Sequence, residues 1–232
     1  MMFKTSVASL RWLSPSARNE YRHQIGMAIG FVGIGNFPDS AAVRMIGADG
    51  FGRIPEVLKR EFRADDLDGV AIVADMDLLT DNRWESLRGT LAIYGFDSLP
   101  NELPKDGLAV RREQSPALGV WLMPDNTNAG MLETFACNLV SREDPAWIHA
   151  VASVDSLPEN AGRFSRERHL EKALIQTWLA RQEEPGCQLG TAVAKKYLRT
   201  DPDGVGRFCS WVERWLAASE SAGLRFGGDG AF

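Results

Sequence analysis

Two aspartates one residue apart, Asp75 and Asp77, close a short apolar run, Gly69-Val70-Ala71-Ile72-Val73-Ala74. Val and Ile dominate the run and a glycine bounds it, so it reads as a strand of a parallel α/β sheet, buried on both faces. Ligands of such sheets sit beyond the carboxyl ends of the strands, where these two acids lie. Side chains i and i+2 leave a strand on the same side. Two carboxylates placed that way form a hard, oxygen-rich site suited to Mg2+. The alternative without chemistry is that both aspartates cap the next helix or shape a turn.

Other candidates each have a plain structural alternative. Glu133 falls near the amino end of a helix that opens at Gly130, where the helix dipole alone favours an acid. Lys172 lies on a helix whose apolar side carries Leu170, Ala173, Leu174 and Trp178; its default role is a solvated charge or an i,i+4 pair. Arg83 follows the acidic loop and is a candidate for the same strand mouth, whereas Trp84 reads as core. Gly47 to Gly52 precede a helix and could cradle an anion, although glycine-rich turns need no ligand. Asp125-Asn126 is a second strand-end polar pair, or a turn. His23, His149 and His169 have no metal-ligand spacing, and no Ser-His-Asp arrangement or P-loop occurs.

At 232 residues with 44% hydrophobic content, the chain can bury a sizeable core as one large domain, or as a core with an appendage. The net charge of −5 gives no global pull towards nucleic acid, so polyanion binding needs a local basic patch or bridging metal. Cys137, Cys187 and Cys209 include no CxxC pair, which argues against a structural zinc. No run approaches the roughly 18 apolar residues of a membrane span. The expectation is a cytoplasmic protein with no membrane partner; its oligomeric state is left open.

The elements that must position the acids follow from periodicity. Phe3 to Leu10 and Ile25 to Ile34 are weak strand candidates in an irregular stretch, 1–40. Ala41 to Ile46 reads as a strand, and Arg53 to Arg63 as an amphipathic helix with Ile54, Val57, Leu58 and Phe62 on one face. After Asp81 a helix buries Trp84, Leu87 and Leu91. Gly107 to Arg112 and Leu118 to Met123 read as two strands joined by a turn at Gln114-Ser115-Pro116. Helices then follow at about Met131 to Val140, Trp147 to Val154, Arg166 to Gln182, Leu189 to Leu198 and Gly206 to Glu220. Strands alternating with helices, then helices alone, imply an α/β core over 1–140, a C-terminal helical subdomain over 141–222 and a flexible tail over 223–232.

Several blocks occurring in order carry a family resemblance. They are Gly69 to Trp84, Gly119-Val120-Trp121-Leu122-Met123-Pro124-Asp125-Asn126, Gly130-Met131-Leu132-Glu133, Lys172 to Ala180 and Glu184-Pro185-Gly186. Together, over Val43 to Leu216, they resemble a bacterial Toprim-like family of unknown function. That family is similar to the Toprim domains of overcoming-lysogenization-defect nucleases, topoisomerases and primases. The resemblance implies a Toprim-like, mostly parallel sheet flanked by helices. It also implies a Mg2+ or Mn2+ site made by Asp75, Asp77 and Glu133, with Lys172 as the basic residue near a phosphate. One departure stands out: the family's first strand ends in a glutamate that completes the metal site, and neither Glu20 nor Asp39 follows an apolar strand in that pattern. An altered amino terminus and a loss of catalysis both account for that.

Two functions are therefore expected. One is a Mg2+-dependent nuclease or phosphotransferase acting on nucleic acid, with phage defence as its setting. The other is a catalytically inactive Toprim-like module that binds a partner protein or nucleic acid. Haloacid-dehalogenase phosphatases also use an Asp-x-Asp pair, but they want it near the amino terminus with a hydroxyl or Val four residues on, where this chain has Leu79. A sugar-nucleotide transferase lacks supporting motifs.

Overall fold

The computed structural model describes residues 5–12, 41–63, 67–78, 82–158, 161 and 164–220. Strands Thr5–Trp12 (β1), Ala41–Gly47 (β2), Gly69–Asp75 (β3), Leu108–Val110 (β4) and Ala117–Met123 (β5) form one sheet in the order β2-β1-β3-β5-β4. The run ending in Asp75 is thus the central strand. The weak candidate at Phe3 to Leu10 is a strand two residues further on, beside β3. The candidate at Ile25 to Ile34, the acids Glu20 and Asp39 and the tail from Gly223 lie outside the described residues.

The sheet is mixed, which corrects the expectation of a mostly parallel one. Only β3 and β5 run parallel, with Asp75 opposite Met123. β1 is antiparallel to both β2 and β3, and β4 is antiparallel to β5. A continuous apolar run reports that both faces are covered, and an antiparallel neighbour leaves that coverage unchanged. Burial was therefore readable from the run, and strand direction was not.

Side-chain alternation divides the core between the two faces of the sheet. Val70, Ile72 and Ala74 of β3 and Leu118, Val120 and Leu122 of β5 face one cluster. It is closed by helix Ile54–Glu61 (α1), through Ile54 and Leu58, and by helix Arg83–Ala92 (α2), through Trp84, Leu87 and Leu91. Ala71, Ala117, Trp121 and Met123 face the other cluster. There the later helices pack: Leu132–Leu139 (α3), Pro145–Asp155 (α4), Arg166–Leu179 (α5), Leu189–Ala194 (α6) and Asp203–Glu220 (α7). These helices share one apolar core with the sheet.

Helix α7 lies directly on the strands because glycine leaves it room. A Cβ at Gly119 would stand 3.0 Å from the Trp215 ring, and one at Gly69 would stand 2.3 Å from Ser219 Oγ. The indole N–H of Trp211 donates to the Leu108 carbonyl at 2.7 Å, tying α7 to β4. Helix α6 is shorter than its apolar pattern predicts. The chain turns left-handed at Lys196 (φ 58°), and the Tyr197 amide bonds back to Ala192 at 2.9 Å, a helix stop that usually advertises itself with glycine.

Candidate functional site at the carboxyl ends of β3 and β5

The expected acids do gather where the parallel pair ends. Asp75 is the last residue of β3, and its Oδ1 accepts the Leu132 amide hydrogen at 2.9 Å. Leu132 opens α3, so this bond satisfies one of the amides that a helix start leaves without a partner. Two residues on, Asp77 sits at φ 56° and forms a reciprocal backbone pair with Gly130, both N···O distances being 2.8 Å. Gly130 itself has φ 140°, and a Cβ there would meet Thr134 Oγ1 at 2.7 Å. Strand end, loop and helix start are therefore locked together by backbone.

Charges are arranged around this knot. Glu133, in the first turn of α3, is 3% exposed and pairs with Lys172 Nζ of α5 at 3.2 Å. Asp77 Oδ2 pairs with Arg83 Nη2 at 2.5 Å, at the start of α2. The Arg83 guanidinium also lies 4.3 Å above the centre of the Phe51 ring, a cation–π contact that steadies its position. Burial, followed by the neighbouring charges of Glu133 and Asp77, raises the Asp75 pKa from 3.8 to about 7, against the opposing Leu132 amide bond and Lys172. Asp75 therefore stands at half-protonation near neutral pH.

The remaining candidates fall elsewhere. Asp125 is a turn former: it accepts from the Thr127 and Asn128 amides at 3.1 and 2.9 Å and from the Asn128 side chain at 2.7 Å. Burial opposes its ionisation, but those bonds prevail and hold its pKa below the usual range. Asn126 is buried and braces β5, accepting the Leu122 amide at 2.7 Å. His149 and His169 are exposed on α4 and α5, and His23 lies outside the described residues. From the glycine-rich Gly47 to Gly52 segment, Phe51 reaches the site, beneath the Arg83 guanidinium.

A family model described as "Protein of unknown function (DUF3226)" matches residues 42–217. The chain belongs to that family. No curated protein and no solved structure matches this DUF3226 chain significantly. The matched stretch takes in β2 to α7, hence all four of Asp75, Asp77, Glu133 and Lys172.

Whether this DUF3226 site suits a divalent ion can be judged from its donors. Among the described residues no group of three or more His, Cys, Asp or Glu forms a ready-made cage. Asp75 Oδ2 accepts no hydrogen bond among those residues, while Asp77 and Glu133 each hold an internal cation. Mg2+ commonly takes only one or two protein carboxylates, keeps several waters and completes its shell with substrate phosphate. Asp75 and Asp77 are carboxylates of the type that such a looser site uses. The sequence concealed three parts of this arrangement: the Leu132 amide, the Asp77–Gly130 pair and Phe51 beneath Arg83. Gly130 before an acidic helix start was the one signal for them.

No helix among the described residues is long and apolar enough to cross a membrane.

Proposed function

We propose that this protein is a Toprim-like, Mg2+- or Mn2+-dependent phosphodiester-cleaving protein that acts on nucleic acid. The observation that carries the reading is the meeting of Asp75, Asp77 and Glu133, flanked by Lys172 and Arg83, where the parallel strands β3 and β5 end. A bound divalent ion would supply a Lewis acid for the phosphoryl oxygen and a more acidic water.

The chain's own residues do the rest. Asp75 accepts the Leu132 amide hydrogen with one carboxylate oxygen and would hold the ion with the other. Asp77, whose carboxylate is paired with Arg83, would be the second residue to hold the ion. Arg83 and Lys172, the cations paired with Asp77 and Glu133, would meet phosphate oxygens with charge-assisted bonds. A first-strand glutamate has no counterpart among the described residues, so ligand position rests on these groups; a misplacement of about 1 Å costs roughly a hundredfold in rate.

A second reading, a catalytically inactive Toprim-like binding module, draws on one observation: Asp77 and Glu133 are each already neutralised by a protein cation. Incubating the full chain with Mg2+ or Mn2+ and plasmid, single-stranded DNA or RNA separates the two. Cleavage that disappears in Asp75→Asn supports the enzyme. Uncut substrates with both proteins support the inactive module.

A further inference from the structure

A cleft of about 650 Å3 lies apart from the acidic knot, between one face of α7 and the turn that leads into β4. That volume is within the range of about 300–1,000 Å3 typical of small-ligand sites. Arg207, Ser210 and Arg214 line it from α7, at helical spacing on a single face. The opposite face of α7 carries Phe208, Trp211, Val212 and Trp215 into the core. The floor of the cleft is consequently fixed by packing. Its far wall is Lys105-Asp106, which is fixed too: the Asn126 side chain donates to the Lys105 carbonyl at 3.1 Å, and Arg214 Nη2 donates to the Asp106 carbonyl.

The charge pattern shows what such a cleft would hold. Lys105, Arg207 and Arg214 bring three cations, and none is paired with a carboxylate among the described residues. Arg207 Nη1 is buried and has no hydrogen-bond partner among the described residues, a state that native structures tolerate rarely. Of the acids on the rim, Asp201 is committed to Arg199 through bonds of 3.0 and 2.5 Å. Asp106 and Asp203 remain as acceptors beside the cations. A long polyanion would run against those carboxylates. A compact molecule with one phosphate for the guanidinium groups and hydroxyls for the aspartates satisfies both.

We propose that this cleft binds a small phosphorylated, hydroxyl-bearing molecule of about mononucleotide size, with Arg207 as the principal phosphate ligand and Lys105 supporting it. The site is independent of the acidic knot and stands or falls separately from the nuclease reading. Titration calorimetry on the full chain tests it, with AMP, ribose 5-phosphate, inorganic phosphate, adenosine and a 20-nucleotide single-stranded DNA as probes.

Saturable binding of AMP or ribose 5-phosphate is expected, with adenosine binding at least tenfold more weakly. Arg207→Gln should weaken the phosphorylated probes at least tenfold and Lys105→Ala severalfold, while Asp75→Asn leaves them unchanged. Lys105 is exposed, so its variant keeps the test alive if Arg207→Gln fails to fold. The proposal is overturned if the wild-type protein binds no phosphorylated small probe, if it binds only the DNA strand or inorganic phosphate, if Arg207→Gln and Lys105→Ala both bind as wild type does, or if Asp75→Asn abolishes the binding.

Discussion

The carboxylate of Asp75 and the amide of Leu132, 57 residues apart in sequence, meet at 2.9 Å. One bond thereby joins the end of the central strand to the start of the helix that carries Glu133. The same carboxylate gives one oxygen to this bond, and its other oxygen accepts no hydrogen bond among the described residues. The structural role and the proposed chemical role thus fall on a single side chain, and substitutions can separate them.

Asp75→Asn keeps an oxygen for the Leu132 amide and removes the charge. The sign of its effect follows from the raised pKa. The native carboxyl holds its proton up to about 7, while the unfolded one releases it near 3.8. Between those values the native state binds the extra proton, so stability falls as pH rises through the window and stays lower above it. Asp75→Asn should abolish this part of the slope and be more stable relative to wild type at pH 8 than at pH 4. Urea denaturation at a series of pH values reads the difference; parallel curves for the two proteins would refute the assignment.

Among the described residues, Lys172 is the sole cation paired with buried Glu133. Lys172→Met leaves a buried carboxylate without its counter-charge and should cost about 1–3 kcal/mol, less than a fully buried pair because Lys172 is partly exposed. Adding Glu133→Gln to Lys172→Met should recover most of the loss. The double-mutant cycle, measured by chemical denaturation at pH 7.5, fails the account if the two substitutions are additive.

Two glycines should respond in opposite directions to alanine. Gly119→Ala places a Cβ against Trp215 and Trp211 at 3.0–3.1 Å and should destabilise by about 1–3 kcal/mol through overpacking. Gly89 is an exposed position on α2 with open space around it. Its alanine variant should stabilise by up to about 1 kcal/mol, from helix propensity alone. Thermal unfolding of both variants beside wild type checks the contrast.

Local periodicity made much of this architecture legible. The continuous apolar runs ending at Asp75 and Met123 located the central strands, and 3.6-residue spacing located α1, α2 and α5 to within a few residues. Strand direction escaped because a run buried on both faces looks alike in parallel and antiparallel company. The end of α6 escaped because Lys196, not glycine, takes the left-handed turn. At the site, the sequence pointed to Asp75, Asp77, Glu133 and Lys172, and the fold brings them together. It could not foresee that Lys172 would already sit on Glu133, since an ion pair between distant segments leaves no spacing to read.

The proposed phosphodiester cleavage depends on the acidic knot accepting a divalent ion. Titration of the protein with Mn2+, followed by electron paramagnetic resonance of the free ion at pH 7.5, tests that most directly. The account predicts one saturable site, weakened at least tenfold in Asp75→Asn and competed by Mg2+. Absence of saturable binding, or equal affinity in Asp75→Asn, would contradict it.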